Sequence, residues 1–210
     1  MKKLSYTQFL WKSKNAHGIH SPFVYGVVSK CFYNKVGKLY TKQRHVPVKG
    51  ITPDVANVLY KIMFHFKPST FYILGIEATK VTEMLRVLGE KLNTNPWFLS
   101  TLAPITSPID LAYLSGSNTS ELLPLLEEIL PNANNKTVCV IGNIHKTNTT
   151  ETAWDAIKKH PNVTVTIDTY HLGLVFFRSG QAKQHFTIRP YKNRLVDALL
   201  GIRNLWGLLG

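Results

Sequence analysis

The sequence predicts an α/β fold: a mostly parallel sheet covered by helices on both faces, closed by an antiparallel hairpin and preceded by a helical N-terminal extension. Three observations predict it. From residue 71 onward, apolar strand-like runs alternate with segments of helical period, the order that builds a parallel sheet joined by crossover helices. Two late strand-like runs, 163–168 and 173–178, are only four residues apart, too close for a parallel crossover, so they pair antiparallel. Residues 1–50 show no such alternation and carry ten Lys/Arg with no Asp or Glu, which sets them apart as a basic cap.

In order, residues 4–14 read as a short amphipathic helix with Leu4, Phe9, Leu10 and Trp11 on its apolar side. His17-Gly18-Ile19-His20-Ser21-Pro22-Phe23 follows; Ser21 and Pro22 are a natural N-cap and first helical residue, so a helix should run over 22–33 and bury Phe23, Val27 and Val28. Residues 34–50, with Gly37, Pro47 and Gly50, read as a loop. Thr52-Pro53 starts a helix over 53–66, with Val55, Leu59, Ile62 and Phe66 on one face, and Pro68 ends it. The stretch 71–84, FYILGIEATKVTEM, is an apolar strand ending at Gly75, a short polar turn and a helix start. It opens a Rossmann-type βαβ unit, in which the unpartnered N–H groups of the helix suit an anion or nucleotide. Beyond it we expect a helix over 80–92, strands over 97–102 and 109–114, and a helix over 120–130. A strand over 137–143, a helix over 149–159, the hairpin and a short strand over 186–189 follow. Residues 195–210 form a Leu-rich tail with Leu195, Leu199, Ile202, Trp206 and Leu209 on one helical face. The chain therefore divides into a basic cap (1–50), an α/β domain (51–190) and a C-terminal amphipathic helix (191–210).

The 44% apolar and 18% charged content is that of a folded protein. No apolar run is long enough for a transmembrane helix, and the N-terminus has no apolar core of a signal peptide, so a cytoplasmic protein is expected. Cys31 and Cys139 are then two reduced thiols. The net charge of +13 sits at the ends: residues 51–175 carry nine Lys/Arg against eleven Asp/Glu, and residues 176–210 carry six against one. Such ends suit a nucleic acid or an anionic surface, and equally the solvated face of an ordinary protein. The tail could lie on an anionic membrane, although docking on its own domain or a second subunit is the commoner use of such a helix.

The motifs also carry a resemblance. His17 to Tyr25, the Ile144-His145 pair with Ala153-Trp154 downstream, and Val165-Thr166-Ile167-Asp168 with Gly173-Leu174-Val175-Phe176-Phe177 occur in that order. Together they resemble a group of bacterial class I S-adenosylmethionine-dependent methyltransferase-like proteins common in Bacteroidetes, over most of the chain. The resemblance implies a Rossmann-like sheet with S-adenosylmethionine at the carboxyl ends of the first strands. It also implies what has changed. Ile73 stands where the first strand carries an acid, and Thr79 where the motif has its last glycine, while Gly75 is kept. Thr101 falls where the second strand ends in a ribose-binding acid. The eight residues from Leu102 to Asp110 leave no room for a helix and third strand. Ser115, Gly142 and Asn143 occupy the places of metal-binding acids, and a hydroxyl with one amide will not hold Mg²⁺, so no metal is expected.

The candidate cofactor-contacting residues are thus Gly75, Glu77, Thr79, Thr101 and Ser115. Glu77 either replaces the lost acid or stabilises the following helix through its dipole. His145 and Asn143, at the carboxyl end of a strand, are the candidate catalytic pair. His145 could be a general base or a structural histidine bonded to nearby backbone. Asp168 and His171 flank the hairpin turn, where turn hydrogen bonding is the default for the Asp; Trp154, Phe176 and Phe177 are at core spacing; His17 and His20 lack further ligands for a metal. Two functions follow: a methyltransferase-like protein with an eroded cofactor site and an unnamed acceptor, or a non-catalytic binding protein. In the second, basic ends contact a partner, a nucleic acid or an anionic surface, and no cofactor is bound.

Overall fold

The computed structural model describes residues 3–14, 19–35, 38–41, 44–100, 102 and 104–191. His17, Thr101 and the expected C-terminal helix lie outside the described residues. Seven strands form one sheet: β1 (Thr70–Gly75), β2 (Trp97–Phe98), β3 (Leu111–Ser115), β4 (Val138–Gly142), β5 (Val165–Asp168), β6 (Leu172–Phe176) and β7 (Gln184–Thr187). Their order across the sheet is β2-β1-β3-β4-β6-β5-β7, and β6 alone runs antiparallel to its neighbours. This is a Rossmann-like arrangement, with the terminal hairpin where it was expected and no strand outside β2 among the described residues.

Period-two alternation places the helices. In β1, Phe71 and Ile73 face one core while Tyr72 and Leu74 face the other; Leu111/Tyr113 against Ala112/Leu114 and Val138/Val140 against Cys139/Ile141 repeat the pattern. The first core is covered by the N-terminal helices with α3 (Pro53–Phe66) and α4 (Ala78–Lys91), the second by α5 (Thr119–Ile129) and α6 (Asn148–Lys159). Trp154 and Phe176 are core residues and Phe177 packs at the margin. Thr52 caps α3 and Thr147 caps α6, each accepting from a backbone N–H three residues on.

The N-terminal elements from Ile19 onward share the first core. The helix α1 (Tyr6–Lys12) is capped by Ser5, and α2 (Pro22–Gly26) by Ser21. The single helix expected over 22–33 changes its winding at Val27: residues Val27–Phe32 are π-helical, and Tyr33 N–H donates to Val28 O at 2.9 Å. The Phe32 carbonyl at its end accepts from the buried Lys61 ammonium at 2.5 Å. Tyr40 is bound through both backbone groups by the Asn57 side chain on α3, at 2.8 and 2.7 Å, which fixes the basic loop to the domain.

The second strand is much shorter than the expected 97–102. With no described residue paired on its outer side, only Trp97 and Phe98 stay in register with β1, and Pro104 and Pro108 lie in the return to β3. β7 is displaced by two residues from the expected 186–189 and adds a parallel strand beside β5. No helix among the described residues is long and apolar enough to cross a membrane. Cys31 and Cys139 are buried free thiols.

Candidate functional site

The carboxyl ends of β1, β3, β4 and β5 bring together Gly75, Ser115, Asn143 and Asp168, at the edge where open α/β sheets bind ligands. Gly75 has φ +93°, and a Cβ there would stand 1.8 Å from the Ser115 carbonyl oxygen. The glycine is therefore required by the contact between two strands: Ile76 N–H donates to that same carbonyl at 3.1 Å. Ser115, buried, completes the staple. Its hydroxyl accepts from Glu77 N–H at 2.8 Å and donates to Leu74 O at 3.3 Å. Thr79 is exposed on the first turn of α4.

Glu77 does not cap α4 with its side chain. Its carboxylate turns inward and accepts from the Tyr113 hydroxyl at 2.8 Å, from the Lys80 ammonium and from the Asn143 amide. Burial pushes this carboxyl up, but those hydrogen bonds and the Lys80 charge outweigh it and hold the group below the usual glutamate range. Burial, with Glu77 beside it, pushes the Tyr113 phenol well up. Gly142 makes the room: a Cβ there would lie 2.3 Å from the Tyr113 hydroxyl. Tyr113 was missed by motif reading. Alternation puts it on the same face as Ile73, and a tyrosine among aliphatic strand residues is the signal that could have found it.

Asn143, at φ +56°, donates its N–H to His171 O at 2.8 Å and so links this network to a second one. There His145 is buried, with Nε2 2.7 Å from Asp168 Oδ2 and Nδ1 3.1 Å from Glu151 Oε2. Burial lowers the imidazole's proton affinity, yet the two carboxylates more than compensate and the net shift is upward. Both ring nitrogens face side-chain carboxylates rather than backbone. Asp168 also accepts from Tyr170 N–H through Oδ1 at 2.8 Å, the turn role expected of it. Glu151 Oε2 further accepts from Leu4 N–H at 2.8 Å, tying the chain ahead of α1 to α6. Tyr170 bridges the hairpin at φ +76°, a strained backbone for a bulky residue, with its ring packed on His145, Phe9 and Tyr6.

Ile76, just after β1, is 69% exposed and Leu102, after β2, is 95% exposed. Among the described residues, no group of three or more His, Cys, Asp or Glu could hold a metal ion.

No protein-family description and no curated protein matches the chain. Solved structures with a related arrangement include a proposed O-methyltransferase from Klebsiella pneumoniae (9% identity, TM-score 0.42, 64% of this chain and 84% of that one). A proposed caffeoyl-CoA O-methyltransferase from Staphylococcus aureus aligns with 9% identity and TM-score 0.43, over 62% of this chain and 86% of that one. TomG of Streptomyces achromogenes, an O-methyltransferase of tomaymycin synthesis seen in complex with S-adenosylmethionine, aligns with 10% identity and TM-score 0.40, over 64% and 84%. At such identities the likeness concerns the arrangement of elements alone, and the fold class above rests on strand order and register.

Proposed function

We propose that this chain is a methyltransferase-like α/β domain that no longer binds S-adenosylmethionine and works as a binding protein. The observation that carries the reading is the state of Glu77. It is the one acid left in the first-strand turn, and its carboxylate already accepts from Tyr113, Lys80 and Asn143. A donor ammonium would have to displace those partners, and an unpaired buried carboxylate is costly. Ile73 in place of an acid and the open side at Ile76 and Leu102 support the same reading. The pattern from Ile19 to Tyr25 favours descent from the Bacteroidetes-type group. A macromolecular partner would meet the basic termini, where Lys3, Lys12, Lys14, Lys30, Lys35, Lys38, Arg44 and Lys49 are all exposed. Such a contact should weaken steeply with added salt.

The test is a calorimetric titration with S-adenosylmethionine and S-adenosylhomocysteine. The reading expects no saturable heat up to about millimolar ligand; dissociation constants of about 10 µM or tighter would overturn it.

A further inference from the structure

The helix α1 buries one side chain of its seven residues, Phe9, so small forces at its ends decide whether it stays on the domain. We propose that His145 latches the start of α1 to the domain while its imidazole is charged, and that the latch opens when the ring loses its proton.

The two ends of α1 are held differently. Beyond its C-terminal end, Lys14 N–H donates to Thr187 O at 2.8 Å and Arg189 Nη1 donates to Ser13 O at 2.9 Å, both away from the histidine. Ahead of its N-terminal end, Lys3 N–H donates to Asn148 Oδ1 at 2.7 Å and Leu4 N–H to Glu151 Oε2 at 2.8 Å. The Tyr6 and Phe9 rings pack on Tyr170, with centroids 4.9 and 5.3 Å away. The same Glu151 oxygen stands 3.1 Å from His145 Nδ1, and the Tyr170 ring lies on the imidazole at 5.6 Å. The Leu4 anchor and the aromatic anchor therefore both rest on one histidine.

An imidazolium donates from both nitrogens and suits two carboxylates. A neutral ring has one N–H and must turn a lone pair toward one of them. The contact with Asp168 Oδ2 is the shorter, at 2.7 Å, so the remaining proton stays on Nε2 and the lone pair of Nδ1 faces Glu151. Glu151 is buried, and a buried carboxylate without its cation is costly. Turning it to water relieves the cost and gives up the Leu4 bond.

The sign follows from the groups around the ring. Burial lowers the proton affinity of His145, and Asp168 on β5 with Glu151 on α6 raise it by more. In the β5–β6 connection, burial pushes the Tyr170 phenol up and the His171 imidazole down; on α1, burial pushes the Tyr6 phenol up. Those three are neutral above about pH 6.5, so they add no charge of their own. The latch is closed below about pH 6.5 and opens as pH rises through the raised value of His145.

The experiment is amide hydrogen exchange of the full chain by NMR at about pH 6 and about pH 8.5, each rate divided by the intrinsic rate at that pH. A helix this short does not persist in water by itself, so release of α1 frees the Phe9 N–H from Ser5 O. Protection at Leu4 and Phe9 should fall about ten-fold at the higher pH, the factor that one unit of raised pKa supplies. Both amides should exchange faster than that of Val140 in β4, which marks the opening as local. Glu151→Gln keeps an oxygen for Leu4 N–H without the charge, and should reduce the step to about two-fold or less. His145→Gln should show the low protection of the open latch at both pH values, and Glu151→Gln decides the matter if that variant does not fold. Protection at Phe9 that is constant or rises with pH would overturn the proposal. So would a full step surviving in Glu151→Gln, or Phe9 exchanging no faster than Val140.

Discussion

Replacing His145 with glutamine tests the second polar network directly. The folded protein holds this imidazole between Asp168 and Glu151, and its proton affinity is raised above that of an unfolded histidine, near pH 6.5. For a base with a raised folded-state pKa, the stabilisation is complete below the unfolded value and is lost as pH rises through the folded one. The contribution should therefore be complete below about pH 6.5 and be lost as pH rises through the raised folded-state value. Glutamine leaves two buried carboxylates without a cation. Removing one member of a buried pair costs about 3–5 kcal/mol, and the low end applies because Asp168 keeps Tyr170 N–H and Glu151 keeps Leu4 N–H. His65, His171 and His185 are shifted downward by burial and oppose the trend, losing stability as pH falls. Lys61, pulled by burial to about 8, adds stability only as pH rises beyond that value. The difference between wild type and His145→Gln cancels the His65, His185 and Lys61 terms, while His171, which also feels the His145 charge, is relieved of part of its downward shift in the variant. Urea unfolding at about pH 6 and about pH 8 should give a difference near 3 kcal/mol at the lower pH that shrinks at the higher one. A difference that is the same at both, or that grows with pH, refutes the clamp.

Two further substitutions address the first network. Gly75→Ala places a methyl group 1.8 Å from the Ser115 carbonyl oxygen at a φ of +93°, so strands β1 and β3 must part; the loss should exceed about 2 kcal/mol in chemical unfolding, and an unchanged midpoint would contradict the geometry. Tyr113→Phe removes one donor from the buried Glu77 carboxylate while keeping the ring, which should cost about 1.5–3 kcal/mol and lower the melting temperature. If Glu77→Gln is made in the same background, the tyrosine change should then cost less, because the acceptor is no longer charged; additivity of the two would show that they do not interact.

Much of the fold was legible because it rests on repeating patterns. Period-two alternation in β1, β3 and β4 sorted Phe71, Tyr72, Ile73 and their counterparts onto opposite faces, and Thr52-Pro53 with Pro68 bounded α3 at 53 and 66. The short connection at 169–171 set the direction of β6. The outer strands were less legible. β2 reads as six residues from composition, but a strand is defined by its neighbours, and the described residues supply only one. The widened turn at Val27–Phe32 leaves no mark in residue type; the backbone there answers to packing against α3. Gly75, Glu77, Ser115, Asn143 and His145 do gather at the carboxyl ends of the strands. A sequence names the residue, however, and its partners here come from 36 residues away for Glu77–Tyr113 and 23 for His145–Asp168.

Those roles share a direction. Gly75 is kept by a strand contact, Ser115 by a hydroxyl staple, Glu77 by three donors and His145 by two carboxylates. Each is a residue type that could serve a ligand, and each is committed to the protein itself. A site kept for chemistry holds polar groups partly unsatisfied until substrate arrives, because only then can they act on it. In these two networks Glu77, Ser115 and Asp168 already have hydrogen-bond partners, and Asn143 joins the networks by holding Glu77 with its amide and the His171 carbonyl with its N–H. The strand ends of this domain therefore act as a joint between sheet, α6 and the chain ahead of α1.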